Sequence, residues 1–323
     1  MARSVLNEYA SMTNKPDDFF VQKTIARPVS VSGVGIHTGR DVQLQLHPAP
    51  ADTGVRFRRV DCGVEMPALA SYVSSLELAT TLGRDGAQVS TVEHLMAAIQ
   101  VMGIDNLLIE IDGPEVPILD GSALPYCRLL EAADLQPQRA LRRIVAIIAP
   151  IEIQEGGGRS ISITPYPGLR VSYRIDFGDR AIGAQSIDVE VTRDGFEREL
   201  ASARTFGLLR DVKRMLERGL ALGGDEGNCV VFDEDGPINT TLRFANEPVR
   251  HKALDAIGDL ALIGSPIWGH LSVERGGHAL HLALLEALRA RPECWTWVAG
   301  ETVPIPARAA VPARMAIPLP ADA

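Results

Sequence analysis

The chain has 323 residues, 46% hydrophobic and 23% charged, which is enough for a sizeable buried core in two domains or one elaborated domain. Its formal net charge of -9, with lysine only at positions 15, 23, 213 and 252 and no basic run, excludes broad nucleic-acid binding, which needs clustered cations to neutralise phosphates. Cys62, Cys127, Cys229 and Cys294 form no C-x-x-C pair and suit reduced thiols in a cytoplasmic protein.

The first twenty residues are polar and unpatterned, so a flexible extension without a secretory segment is expected over 1–20. VQLQLHP (42–48) and GVRFRRV (54–60) alternate with period two, as half-buried strands do. The segment 90–103 predicts a helix: Val92, Leu95, Met96, Ile99 and Met102 share one face, and Gly103 suits its C-terminal cap. NLLIEIDGP (106–114) reads as a strand and SALPYCRLLEAA (122–133) as a helix. The polar, turn-like stretch 134–143 is the best boundary, giving a first unit over 21–138 and a second over 139–298. The most apolar run, 144–153, contains Pro150 and is too short to span a bilayer, so no transmembrane segment is expected.

The second half repeats the first in outline. ISITPYP and LRVSYRIDF are strand-like, HKALDAIGDLALIG is helical, WGHLSVERG is a strand and HALHLALLEALRA a helix. The expected fold class is therefore α+β: two similar sheet-plus-helix domains packed together with the active site between them. His94 and His251 sit at matching places near the start of a helix, so facing units would bring them together. Prolines at 304, 306, 312, 318 and 320 predict an extended or disordered tail over 299–323.

Chemistry concentrates in three places. His251, Asp255 and Asp259 follow at i, i+4 and i+8, one stripe of about 80° on a helix. An imidazole and a carboxylate one turn apart can share a metal ion, although a solvated His–Asp face meets the same spacing. Gly258 within that helix leaves room for something bulky to approach the stripe. Glu93 and His94 point away from the apolar face of the first helix. Ser90-Thr-Val-Glu93 matches a capping box, which by itself favours a capping role for Glu93, while a Glu–His pair also fits a general base beside a ligand. In RGGHALH, two glycines precede His278 where a strand turns into a helix. His278 is either an incidental turn residue or a general acid held by a carboxylate, with Asp259 as candidate partner. His37, after the glycines of GVGIHTGR, is a candidate lining residue, whereas His47, His270 and His281 read as structural or superficial.

From Gln22 to Ala290 the chain resembles the UDP-3-O-acyl-N-acetylglucosamine deacetylases of lipid A biosynthesis. GVGIHTGR, STVEHLMAA, GIDNLLIEIDGPEVPILDGSA, ARTFG, RGLALGG, VRHKALDAIGDL and GGHAL carry the likeness, in order and spacing. The resemblance implies one zinc ion, with ferrous iron the alternative, held by His94, His251 and Asp255. It makes Glu93 the general base, His278 the acid on the leaving amine, Asp259 its orienting partner and Thr205 a holder of the oxyanion. It further implies that Lys252 meets nucleotide phosphates, that Phe206 lines the substrate groove, and that an acyl chain lies along Phe206, Leu208, Leu209, Leu220, Leu222 and Val230. The implied partner is an acylated UDP-amino sugar, and a cytoplasmic monomer in transient contact with membrane lipid is expected. The competing readings are a metal amidase for another acylated sugar or amide, and a non-catalytic zinc or nucleotide-sugar binding module. The second would require neither Glu93 nor His278.

Overall fold

The computed structural model describes residues 20–299 apart from 179, 180 and 239, so the extension and nearly all of the tail lie outside the described residues. The fold is α+β. In the first half, five strands lie in the order Val29–Val34, Asp41–Pro48, Leu107–Ile111, Val55–Arg59, Val64–Pro67. Alternation in Asp41–Pro48 buries Val42, Leu44 and Leu46, and Leu44 and Leu46 stand opposite Ile111 and Ile109. Among the described residues, two α-helices belong to this half: α1 (Glu93–Met102) and α2 (Leu124–Ala132). Gly103 ends α1 in the left-handed region, φ 71°, as expected of a C-terminal cap.

The second half contains a seven-stranded sheet centred on Ile267–Glu274. That strand runs antiparallel to Arg159–Thr164 and parallel to both Leu169–Asp176 and Ile144–Ile147. Four helices follow in chain order: α3 (Arg193–Glu199), α4 (Leu209–Glu217), α5 (Glu247–Ala261) and α6 (His278–Ala290). Helix α1 packs against α5, and one connected cluster of buried apolar side chains runs through both halves. Among the described residues, no helix is long and apolar enough to cross a membrane.

Three local expectations change. The stretch 134–143 is not a turn but contains the strand Leu135–Leu141, paired antiparallel with Val21–Ile25 so that the two ends of the first half close on each other. A ladder of only two strands tolerates Pro137, whose missing N–H would disrupt a central strand. The capping box is absent: α1 begins at Glu93 itself, its cap Val92 makes no side-chain bond, and the Ser90 amide donates to the Pro114 carbonyl. Thr91, at φ 58°, turns the chain before the helix, which frees the Glu93 carboxylate for other partners. Finally, the polar stripe of α5 is not solvated, because His251, Asp255 and Asp259 are all about 3% exposed.

Candidate active site

Helices α1 and α5 bring the first group together. His94 comes from the first turn of α1, and His251 and Asp255 from successive turns of α5. Their ligand atoms all lie within 4.8 Å of one another, although 157 positions separate the two histidines. The two imidazoles meet edge to face, with centroids 4.8 Å apart. Asp255 Oδ1 is 3.5 Å from His94 Nε2 and 3.3 Å from His251 Nε2, and it is buried without a hydrogen-bond partner. A buried carboxylate oxygen left unpaired is costly unless something positive meets it.

Protonation favours the same occupant. Burial pushes the His251 imidazole down to about 4 against the pull of Asp255, so the ring is neutral near pH 7. Its Nδ1 donates to the Ala203 carbonyl at 3.0 Å, which turns the bare Nε2 lone pair towards Asp255. Burial opposes ionisation of Asp255, but His251 and Lys252 outweigh it and hold the carboxyl well below its usual range. Lys252 donates to Asp255 Oδ2 at 2.7 Å, leaving Oδ1 free. Two converging imidazoles beside one unpaired carboxylate oxygen fit a divalent cation.

Glu93 follows a different route. It is 4% exposed, and its Oε2 accepts the Thr80 amide at 3.2 Å. Burial raises its pKa, opposed by the charges of His278 and His94. His278 opens α6, after Gly277 at its cap. Its Nδ1 meets Asp259 Oδ2 at 2.7 Å, which leaves Nε2 facing Glu93 Oε1 at 3.9 Å. Burial disfavours the imidazolium, yet the Asp259 carboxylate more than offsets this and lifts the His278 pKa to about 9. The site thus opposes a carboxylate and an imidazolium across a gap in which a reacting group can sit.

A cavity of about 530 Å³ opens onto this group. Glu93, His94, His251, Lys252, Asp255, His278, His37, Thr205 and Phe206 all line it, whereas Asp259 lies behind His278. Phe206 packs edge-on to His251, Phe177 and Phe232. His37 hangs from a loop whose amide donates to Glu115 at 2.9 Å, and burial lowers its pKa. Lys252 lines the cavity but spends its ammonium on Asp255. The apolar wall differs in part from expectation. Phe206, Leu208 and Leu209 contribute to it, but Leu220, Leu222 and Val230 do not, and Val212, Met215 and Leu216 of α4 take their place. Val230 is instead core, and Leu222 is 55% exposed. A larger cleft of about 700 Å³, bordered by Tyr72, Arg143 and Trp297, shares no residue with this site.

The family model for UDP-3-O-acyl N-acetylglycosamine deacetylase matches residues 22–290. The chain belongs to this family. A UDP-3-O-acyl-N-acetylglucosamine deacetylase of Myxococcus xanthus (strain DK1622) is 46% identical over 277 residues, 85% of this chain and 88% of the relative. One from Anaeromyxobacter dehalogenans (strain 2CP-C) is 46% identical over 295 residues, covering 90% and 96%. A third, from Phenylobacterium zucineum (strain HLK1), is 44% identical over 279 residues, covering 85% and 95%.

Two further residues meet Asp259 that spacing barely marks. Thr80 donates its hydroxyl to Asp259 Oδ1 at 2.6 Å, and His281, expected to be structural or superficial, donates to Asp259 Oδ2 at 2.7 Å from a fully buried position. For Thr80 the sequence holds no signal, since its partner lies 179 positions away. His281 carries a faint one: it falls at i+3 from His278, on the same face of α6.

Proposed function

We propose that the chain is a metal-dependent hydrolase that removes the N-acetyl group of a UDP-3-O-acyl-N-acetylglucosamine, releasing acetate in lipid A biosynthesis. Membership of the family makes it a deacetylase for an acylated UDP-amino sugar. The observation that carries the mechanism is that Glu93 Oε1 and His278 Nε2 lie 3.9 Å apart in the lining of one cavity, which the clustered His94, His251 and Asp255 line as well.

His94, His251 and Asp255 would hold one divalent cation, zinc in our reading with ferrous iron the alternative. When bound it supplies Lewis acidity, which lowers the pKa of a water and polarises a carbonyl. Glu93 takes a proton from the attacking water as its oxygen bonds to the acetamide carbon. The Thr205 hydroxyl faces the oxyanion that develops on the carbonyl oxygen. His278 then gives its Nε2 proton to the amide nitrogen, the C–N bond breaks, and acetate and the free amine remain. Lys252 and Phe206 would meet the nucleotide and sugar portions, with His37 at the rim, and the α4 wall would take the acyl chain.

The pairing of Val21–Ile25 with Leu135–Leu141 supports two units, but with the whole of that strand in the first, so we draw the boundary after Leu141 and not at 138. The four free cysteines suit the reducing cytoplasm, which we assign as the compartment, with a monomer as the working species and transient lipid contact through the acyl chain. Acetate release from the UDP-acyl-N-acetylglucosamine, with and without a chelator, tests the reading. Turnover that survives complete chelation overturns the metal, and absence of acetate overturns the substrate. Metal analysis of the active protein distinguishes zinc from iron.

A further inference from the structure

Asp259 is held by more than its catalytic neighbour. Its Oδ2 receives two imidazole nitrogens, His278 Nδ1 and His281 Nδ1, each at 2.7 Å, and its Oδ1 receives the Thr80 hydroxyl at 2.6 Å. His278 and His281 lie three residues apart on α6, so their rings descend on α5 side by side, 6.1 Å apart and nearly perpendicular. His281 is 0% exposed, and its other nitrogen, Nε2, faces the Tyr173 hydroxyl at 3.2 Å. Tyr173, on the strand Leu169–Asp176, is itself 1% exposed.

We propose that His281 is a positioning residue, which clamps the Asp259 carboxylate in the orientation that aims His278, and that Tyr173 fixes the tautomer His281 needs for this. The proposal rests on the reading of His278 as the acid.

A neutral imidazole has one N–H. Burial keeps His281 neutral, against the attraction of Asp259 and with the charges of His278 and Lys252 opposing a second cation. Its single proton must sit on Nδ1 to reach Asp259, so Nε2 must accept, and the Tyr173 O–H is the donor that lies there. Asp259 therefore carries one imidazolium rather than two, and its charge is directed to His278. Three donors, one from Thr80 and two from α6, leave the carboxylate no freedom to turn. With Nδ1 pinned in this way, His278 presents Nε2 to the cavity. Asp259, His278 and His281 lie close enough to hold a cation, but each is already committed to a hydrogen bond within the cluster.

The test uses the full-length, metal-loaded enzyme and steady-state acetate release. His281→Leu removes the donor, His281→Asn restores an N–H near the position of Nδ1, and Tyr173→Phe removes the hydroxyl alone. We expect His281→Leu to lower kcat about tenfold or more with KM little changed, since a misaimed group acts on the chemical step. His281→Asn should recover most of the loss, and Tyr173→Phe should show a fall of a few-fold. In an Asp259→Asn background, His281→Leu should cost little further rate, because both changes act through one carboxylate. A wild-type kcat in His281→Leu, equal losses in the Leu and Asn variants, or additive losses in the double variant would overturn the proposal. Should His281→Leu fail to fold, the Asn and Tyr173→Phe variants decide alone: a Tyr173→Phe variant with wild-type kcat overturns it. His278→Ala is run in parallel. If it keeps wild-type turnover, the acid reading itself fails, whereas a slow His278→Ala beside an unaffected His281→Leu removes only the positioning role.

Discussion

A β-carbon placed on Gly258 would lie 1.9 Å from the carbonyl oxygen of Glu93 and 2.7 Å from its carbonyl carbon. The space that this glycine leaves on α5 is thus filled by the backbone of α1, at the residue next to His94. Because the obstacle is backbone, no side-chain rotation relieves it, and Gly258→Ala must push the helices apart. Overpacking of a well-packed core costs about 1–3 kcal/mol, and this contact belongs at the upper end or beyond it. The expected outcome is a lower melting temperature together with loss of both bound metal and rate, since α1 carries Glu93 and His94 with it. Thermal melting and metal analysis on the same sample check this, and unchanged values in both would refute it.

The ligands and the base should separate by what each variant retains. His251→Ala and Asp255→Ala each remove a donor from a site with three, so metal content should fall with turnover. Glu93→Gln leaves all three donors in place and should retain the metal while turnover drops about 100-fold or more, as for a lost general base. Metal content measured after gel filtration, beside kcat, tells the two classes apart. Metal lost from Glu93→Gln would give that residue a structural role.

How much of this was legible beforehand follows from the range of each interaction. The α5 stripe is local, and i, i+4, i+8 spacing gives His251, Asp255 and Asp259 a common face without any structure. Helix α1, its glycine cap and the strands Asp41–Pro48, Val55–Arg59, Leu107–Ile111, Arg159–Thr164, Leu169–Asp176 and Ile267–Glu274 follow from the local pattern in the same way. Burial of the stripe is not local: it depends on α1 lying against α5, and nothing near residue 255 states it. The capping box failed because Thr91 takes a left-handed conformation and starts the helix three residues late. The acyl wall was partly misplaced for a milder reason. Leu209, Val212, Met215 and Leu216 do follow a helical period, but the short charged segment around them reads as surface. Thr80 was beyond reach, since a carboxylate gathers its donors in space, and His281 left only its i+3 spacing from His278.

That apolar face of α4 makes its own prediction. Helix α4 has no fully buried residue, while Val212, Met215 and Leu216 line the cavity. If an acyl chain covers them, each buried methylene contributes about 0.8 kcal/mol. Met215→Glu should then raise KM for a long-chain substrate by about tenfold or more and leave a short-chain analogue little affected. Equal effects on both substrates would remove the acyl chain from this wall.

The last prediction turns on the ion pair between His278 and Asp259. His278 must be protonated to donate, so the alkaline limb of the rate profile follows loss of its proton. Burial alone would drive this imidazole down, and it is the carboxylate at 2.7 Å that lifts it to about 9. Asp259→Asn keeps the shape and removes the charge. The remaining influence of burial then lowers the His278 pKa, so the acid form is lost at lower pH and the alkaline limb must move towards acid. The maximum rate should fall as well, because a smaller fraction of the enzyme holds the proton near neutrality. The limb belongs to a coupled group of sites, so the comparison is between variants and not with any single titration. Rate profiles of the wild type, Asp259→Asn and His278→Ala, each loaded with the same metal, provide the check. An alkaline limb that stays in place in Asp259→Asn would mean that Asp259 does not tune His278. Its persistence in His278→Ala would assign the proton to another group altogether.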